Sequence, residues 1–444
     1  MPPEERVEAR SCEFTGTTTN ATFHCCTSTL PYPKRPLEDI NRGLNLNLGQ
    51  SIISPNSKTL LWVIQFLDRL LVRWWEPYFQ RLWKSIPLHL RKKLTFAAWN
   101  VYFPLHKRLL GRTTGIHPDA SLEYHAMTTL AWWGRMIPVT IERMRFSLSQ
   151  LSVWSNHPVL SRVEVIDEPI ACPIPPDQHW HVKGLYVHVA DEPTEYTLLW
   201  IYGGAFLAGD MEGNLGPAER VGRETGMDVF LVHHRLVPEV QMKDMLWDVA
   251  LGYHWLTLQR KSTKVLVLGI SSGAGLATRL CQSVAEAMHG RSTLPDYLSS
   301  ILQDTPLPAG AVLLGPFADY TTPRGSLITN ATHDLIVNPR VLESGLPYLE
   351  THMGGSRRDH SPIYRSFAGC PPLCVVTSEH EAVYDHAIDL VNAARSYGVP
   401  VTLGVWKYMC HVFTFLSSFV PEGEESMQFF IQWLKEQQQR KQLY

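Results

Sequence analysis

The chain is 444 residues long, 45% hydrophobic and 18% charged, and its 40 Lys and Arg nearly balance 42 Asp and Glu, leaving a formal charge of −2. That length suits one large domain with an extension, or two domains, with ample chain for a buried core. The apolar share excludes a chain too polar to fold, and the lack of a basic excess argues against a nucleic-acid binder.

Eight cysteines are too sparse for a disulfide scaffold and read as mostly reduced, buried thiols. Cys370 and Cys374 have a loose metal-like spacing, but no second ligand pair accompanies them, so neither metal nor cofactor is expected.

Residues 1–57 are polar, rich in Thr, Asn and Pro, and aperiodic, so this segment is expected to be largely disordered or loosely attached. It carries no apolar run of the secretory type. The chain is therefore expected inside the cell, cytoplasmic or peripheral on an internal membrane. The glycosylation patterns at Asn20 and Asn330 read as fortuitous.

Residues 58–190 are expected to form a helical N-terminal or cap region. Apolar residues dominate from Leu60 to Trp75. Basic residues then gather at Arg81, Lys84, Arg91, Lys92, Lys93, Lys107 and Arg108, interleaved with Trp74, Trp75, Trp83 and Trp99. The pattern fits a helix lying in a membrane interface, and equally a cap helix packed on a protein core. Peripheral membrane contact through residues 58–110 is thus an open expectation. No uncharged stretch reaches the roughly 18 residues of a transmembrane helix.

From about residue 160 the period changes. Short apolar runs at Thr197–Tyr202, Val229–Val232, Val265–Leu268, Ala311–Leu314, Leu373–Val376 and Val401–Trp406 alternate with amphipathic stretches such as Met245–Leu256 and Leu276–Met288. Strands buried on both faces and alternating with helices predict an α/β fold, with a mostly parallel central sheet and helices on both faces. Residues 191–444 are assigned to this α/β domain.

Val265–Ala277 reads strand, G-x-S-x-G, helix. Ser271 then sits on a sharp turn that thrusts its hydroxyl out of the sheet, and Gly269 and Gly273 let strand and helix approach. Upstream, Gly203-Gly204 follows the run ending at Tyr202. A Gly-Gly turn at a strand end can aim backbone N–H groups at an anionic oxygen. The expected donors are the amides of Gly203, Gly204 and Ser272, with Ala205 nearby.

These motifs come in a telling order: Tyr202-Gly-Gly-Ala-Phe206, His234-Arg-Leu-Val-Pro-Glu239, Asp248, Gly269-Ile-Ser-Ser-Gly273, then Ser361-Pro362 and Pro371-Pro372. The series resembles the hormone-sensitive-lipase-like branch of the α/β-hydrolases, whose usual motifs are H-G-G-G, Y-R-L-A-P-E and G-D-S-A-G. The resemblance spans roughly residues 195–435. It implies a serine esterase with an N-terminal helical cap over the acyl pocket, acting on a small and rather apolar ester; steryl-acetate deacetylases are similar members. Three positions depart from the pattern. Tyr202 replaces His, so the oxyanion loop must be supported differently, through a phenol. Ala205 replaces Gly, and Ile270 replaces Asp.

A nucleophilic serine needs a base, and the base an orienting carboxylate. His411 follows the last apolar run and can reach back over the turn, and His411-Val412-Phe413 resembles the family's H-x-F element; His380 and His386 are rivals that precede that run. The loop after Leu373–Val376 offers Glu379, Glu381 and Asp385. The resemblance places Glu381 where relatives often have Asp. Hydrolysis through Ser271, Glu381 and His411 is the expected chemistry. Acyl transfer or a cyclisation step in natural-product tailoring would use the same residues. A non-catalytic receptor on this fold, as the plant gibberellin receptor illustrates, is disfavoured because that receptor lacks the catalytic His.

Overall fold

The computed structural model describes residues 21–22 and 73–439, apart from short stretches at 113–116, 135–138, 156–157, 171–180, 192–193, 263, 291–295 and 322. Between residues 73 and 150 the described chain forms α1 (Arg73–Ser85), α2 (Leu88–Leu109), α3 (Leu122–Gly134) and α4 (Ile141–Leu148), followed by a single helical turn at Leu151–Trp154. Thr140 caps α4 by accepting from the Arg143 amide.

The six strands β4 (Tyr196–Ile201), β5 (Asp228–Val232), β6 (Lys264–Ile270), β7 (Gly310–Leu314), β8 (Leu373–Ser378) and β9 (Val401–Trp406) are mutually parallel. Each coincides, within a few residues, with an apolar run of the sequence. With β1 (Ala21–Thr22), β2 (Arg162–Pro169) and β3 (His181–His188), nine strands among the described residues build one sheet in the order β1-β9-β8-β7-β6-β4-β5-β3-β2. The fold is that of an α/β-hydrolase.

Successive side chains of the inner strands go to opposite faces. Leu199 and Ile201 join one core, with residues of α6 (Met242–His254), α7 (Ser272–Met288) and α9 (Tyr384–Ser396). Leu198 and Trp200 join the other, with residues of α5 (Met211–Thr225) and α10 (Pro421–Gln439). Between β7 and β8 lies α8 (Pro339–His352), capped by the Asn338 side chain.

One expectation needs correcting. The stretch 58–190 is not helical throughout: β2 (Arg162–Pro169) and β3 (His181–His188) pair antiparallel within it, and β3 pairs antiparallel with β5. β2 is an edge strand whose side chains are mostly exposed, so polar residues replace the apolar run that marks an inner strand. Within the segment 1–57, Ala21–Thr22 form β1, antiparallel to β9. The rest of residues 1–57, and residues 58–72, lie outside the described residues.

Candidate active site

Four segments converge at the carboxyl ends of the parallel strands: the turn after β4, the turn after β6, and the loops after β8 and β9. This is the edge at which open α/β sheets present ligand sites.

Ser271 follows the last residue of β6, Ile270, and precedes α7, with φ 54° and ψ −117°. A serine held at positive φ stores strain and projects its hydroxyl above the sheet. The flanking glycines make this possible. A Cβ on Gly269 would lie 2.6 Å from the Ala274 Cα, and one on Gly273 would lie 2.3 Å from the Tyr202 carbonyl oxygen. Behind the serine, α7 directs its N-terminal dipole at the site.

His411 lies in the loop after β9, and its Nε2 is 2.8 Å from the Ser271 Oγ. Its Nδ1 is 2.7 Å from Glu381 Oε2, across 30 residues of chain. A carboxylate only accepts, so Nδ1 carries the proton and Nε2 accepts from the serine. Glu381 is itself held by the Ser378 amide at 3.0 Å and by the Thr377 hydroxyl, both on its Oε1. Both side chains are almost fully enclosed, 2% exposed for His411 and 1% for Glu381. Burial alone would lower the His411 pKa, but the hydrogen bond and charge of Glu381, with the charge of Asp334, outweigh it and leave the pKa raised.

The structure brings Ser271, His411 and Glu381 together and leaves the rivals elsewhere. His386 stacks on Phe317 and is pushed down to about 4, first by burial. His380 accepts from the Tyr408 amide at 3.3 Å. Asp385 accepts from the Ser326 amide at 2.9 Å.

The turn after β4 is strained as well, with φ 140° at Gly204, 54° at Ala205 and 64° at Phe206. Gly203 lies directly against the nucleophile; a Cβ there would sit 2.9 Å from that of Ser271. One expected donor is engaged differently. The Gly204 amide donates to the Ser272 hydroxyl at 3.1 Å, and the Phe206 amide donates to the same oxygen at 3.2 Å. The Ala205 amide, on the wall of the pocket, has no acceptor among the described residues. The phenol of Tyr202 donates to the His234 carbonyl at 2.8 Å, and the His234 ring, stacked on it, bonds back to the Tyr202 carbonyl. This pair fills the place of the single histidine that the family pattern led one to expect.

Sequence reasoning missed three residues. Asp334 is fully buried in the segment between β7 and α8, where its carboxylate accepts from the backbone amides of Ile336, Val337, Ala382 and His411. It thereby ties the acid loop to the base loop. Asn330 donates from its side-chain amide to the carbonyls of Glu379 and Glu381, at 2.8 and 3.1 Å. Its only sequence signal was the Asn-Ala-Thr pattern, read there as chance. Arg145 of α4 donates to the carbonyls of Leu207 and Val237 and pairs with Glu239 at 2.7 Å, clamping the chain beyond the glycine turn. Nothing local in the sequence distinguishes a clamp of this kind from an ordinary surface arginine.

A recess of about 430 Å³, including its open mouth, begins at Ser271 and Ala205 and runs between Phe317, Val341, Leu346 and Val383. Its lining is almost wholly apolar, so it suits a hydrocarbon group attached to whatever reacts at Ser271.

Comparison with known proteins agrees with this architecture. Residues 198–415 match the family described as alpha/beta hydrolase fold. An acetyl-hydrolase of Streptomyces hygroscopicus is 28% identical over 236 residues, 52% of this chain and 73% of that protein. An esterase of Acinetobacter venetianus is 25% identical over 232 residues, 51% of this chain and 70% of that protein. Among solved structures, an esterase of the bacterial hormone-sensitive lipase family superposes with a TM-score of 0.58 at 24% identity, covering 71% of this chain and 98% of that one.

Proposed function

From the premise that the chain carries an alpha/beta hydrolase domain similar to those of hormone-sensitive-lipase-type esterases, we propose that it is a serine carboxylic-ester hydrolase, of the esterase, lipase or deacetylase kind. Its substrate is a small, apolar ester. The single observation that carries the reading is the unbroken hydrogen-bond line from Ser271 through His411 to Glu381.

His411 Nε2 takes the proton as Ser271 Oγ bonds to the ester carbonyl carbon. The carbonyl oxygen, now negative, is received by backbone amides of the Gly203-Gly204 turn and of Ser272. The Ala205 amide is a further donor, available while Gly204 is engaged with the Ser272 hydroxyl. One such donor is typically worth about 10²–10³ in rate. Imidazolium then gives its proton to the departing alcohol oxygen, leaving an acyl-serine. Water attacks that acyl group, losing its proton to His411, which passes it to the departing Ser271 Oγ as the acid is released. Glu381 holds the tautomer that makes Nε2 the acceptor and stabilises the charged ring. The apolar recess beside Ser271 supports an acyl group of hydrocarbon character, and the name of the Streptomyces relative makes acetyl esters the first to try.

The test is Ser271→Ala with p-nitrophenyl esters from acetate to long-chain acyl, together with a fluorophosphonate probe. The reading expects turnover by the native enzyme, labelling at Ser271, and the loss of both in the variant. Unchanged turnover in the variant would refute it.

A further inference from the structure

The two helices that open the described chain are polarised the wrong way round for a protein facing only water. In α1, Trp75, Tyr78, Phe79 and Leu82 are spaced three, four and seven residues apart and so form one stripe. That stripe faces solvent, with Trp75 71% exposed and Leu82 66%. The polar side is the one fixed to the body: Glu76 pairs with Arg143 of α4 at 2.7 Å and also accepts from Gln80. Trp83, between the two sides, donates to Gln150.

α2 repeats the theme. Its inner side carries Phe96, Trp99 and Phe103; Phe96 stacks on Phe419 at 4.8 Å, and Trp99 meets the same ring edge-on at 5.1 Å. Its outer side carries Leu90, Leu94, Val101 and Leu105, again one helical stripe, and all are exposed. A helix whose apolar residues were needed only for folding would bury them. Here folding is served by one side, and a second apolar side is left over.

Charge says what covers it. From Arg73 to Leu109 the only acidic residue is Glu76, which is already paired, while Arg81, Lys84, Lys93, Lys107 and Arg108 are exposed. The whole chain is slightly negative, so this is a local basic field. Apolar stripes rich in Trp, Tyr, Phe and Leu and bordered by Lys and Arg match the interfacial zone of a bilayer bearing anionic lipid. Among the described residues no helix is long and apolar enough to cross a membrane, so the contact is with a surface.

We propose that α1 and α2 dock the protein on an anionic lipid bilayer through these stripes. This does not rest on the chemistry of Ser271. Flotation of the full chain with phosphatidylcholine vesicles, with and without phosphatidylserine at about a third of the lipid, tests it. The native protein rises with the anionic vesicles, and rises less with the neutral ones or in high salt. Trp75→Glu with Phe79→Glu, and separately Leu94→Glu with Val101→Glu, each cut the floated fraction at least about tenfold. Their thermal melting and their turnover of soluble p-nitrophenyl acetate stay native, and Ser271→Ala floats like the native protein. The proposal is overturned if the native protein stays at the bottom with both vesicle types, or if both charged variants float as it does. It is equally overturned if the native protein does not float and the same substitutions instead convert a sedimenting dimer to monomer, because a second copy then covers the stripes.

Discussion

The sheet half of the molecule and the N-terminal helical layer use opposite economies of polarity. In β4 to β9 nearly every inner position is apolar, and Glu381, Asp334 and His411 are three ionisable groups buried together at the strand ends. In α1 an apolar stripe is exposed and the paired Glu76 faces the body, and α2 carries apolar residues on its outer as well as its inner side. Burying a carboxylate costs several kcal/mol unless hydrogen bonds compensate. The three groups at the strand ends are compensated by backbone amides and by one another, whereas an exposed tryptophan carries no such requirement. Polarity out of place thus marks the reacting groups in one region and the stripes proposed for docking in the other.

That contrast can be broken, and the largest effect is expected at its centre. Ser271→Ala should lower kcat on p-nitrophenyl esters by at least about 10³-fold with native melting, measured by steady-state kinetics. Glu381→Gln keeps the shape but frees the tautomer, and should cost about 10²–10⁴. It also has a pH signature. The base must be neutral to act, and the His411 pKa is raised, so activity falls as pH drops through that value. Removing the carboxylate charge lowers the pKa, so in Glu381→Gln the acid limb of kcat/KM should move to lower pH. Asp334→Asn should move the same limb the same way by less, and cost about 1–3 kcal/mol in denaturant melts, because an amide cannot accept from four backbone N–H groups as a carboxylate does. Ser272→Ala leaves the amides of Gly204 and Phe206 without their acceptor and should lower stability by about 1–2 kcal/mol, with a modest fall in kcat. An unaltered melt and rate in Ser272→Ala would show that the strained turn is held without it.

How much of this could be read from the chain depended on how local each signal was. The parallel strands announce themselves because burial on both faces demands a continuous apolar run, and Ser271 because its turn needs glycine at two fixed offsets. The meeting of Ser271, His411 and Glu381 was foreseen from strand order together with the resemblance. β2 escaped notice because an exposed edge strand needs no apolar run. Asp334 escaped because its partners are backbone amides, which leave no mark on the residues that supply them. The Ser272 hydroxyl escaped for the same reason, which is why the Gly204 amide was counted as wholly available.

The clamp formed by Arg145 bears on where this protein can be cut. Residues 198–415 satisfy the family pattern, yet the carbonyls of Leu207 and Val237 are held by a guanidinium lying upstream of that stretch. Ser152, also upstream, bonds to the carbonyls of Glu212 and Gly213, and α10 lies beyond its downstream end. A fragment trimmed to the recognisable stretch would lose both splints and the strands β2 and β3, so the smallest autonomous version of this enzyme is considerably longer than its signature.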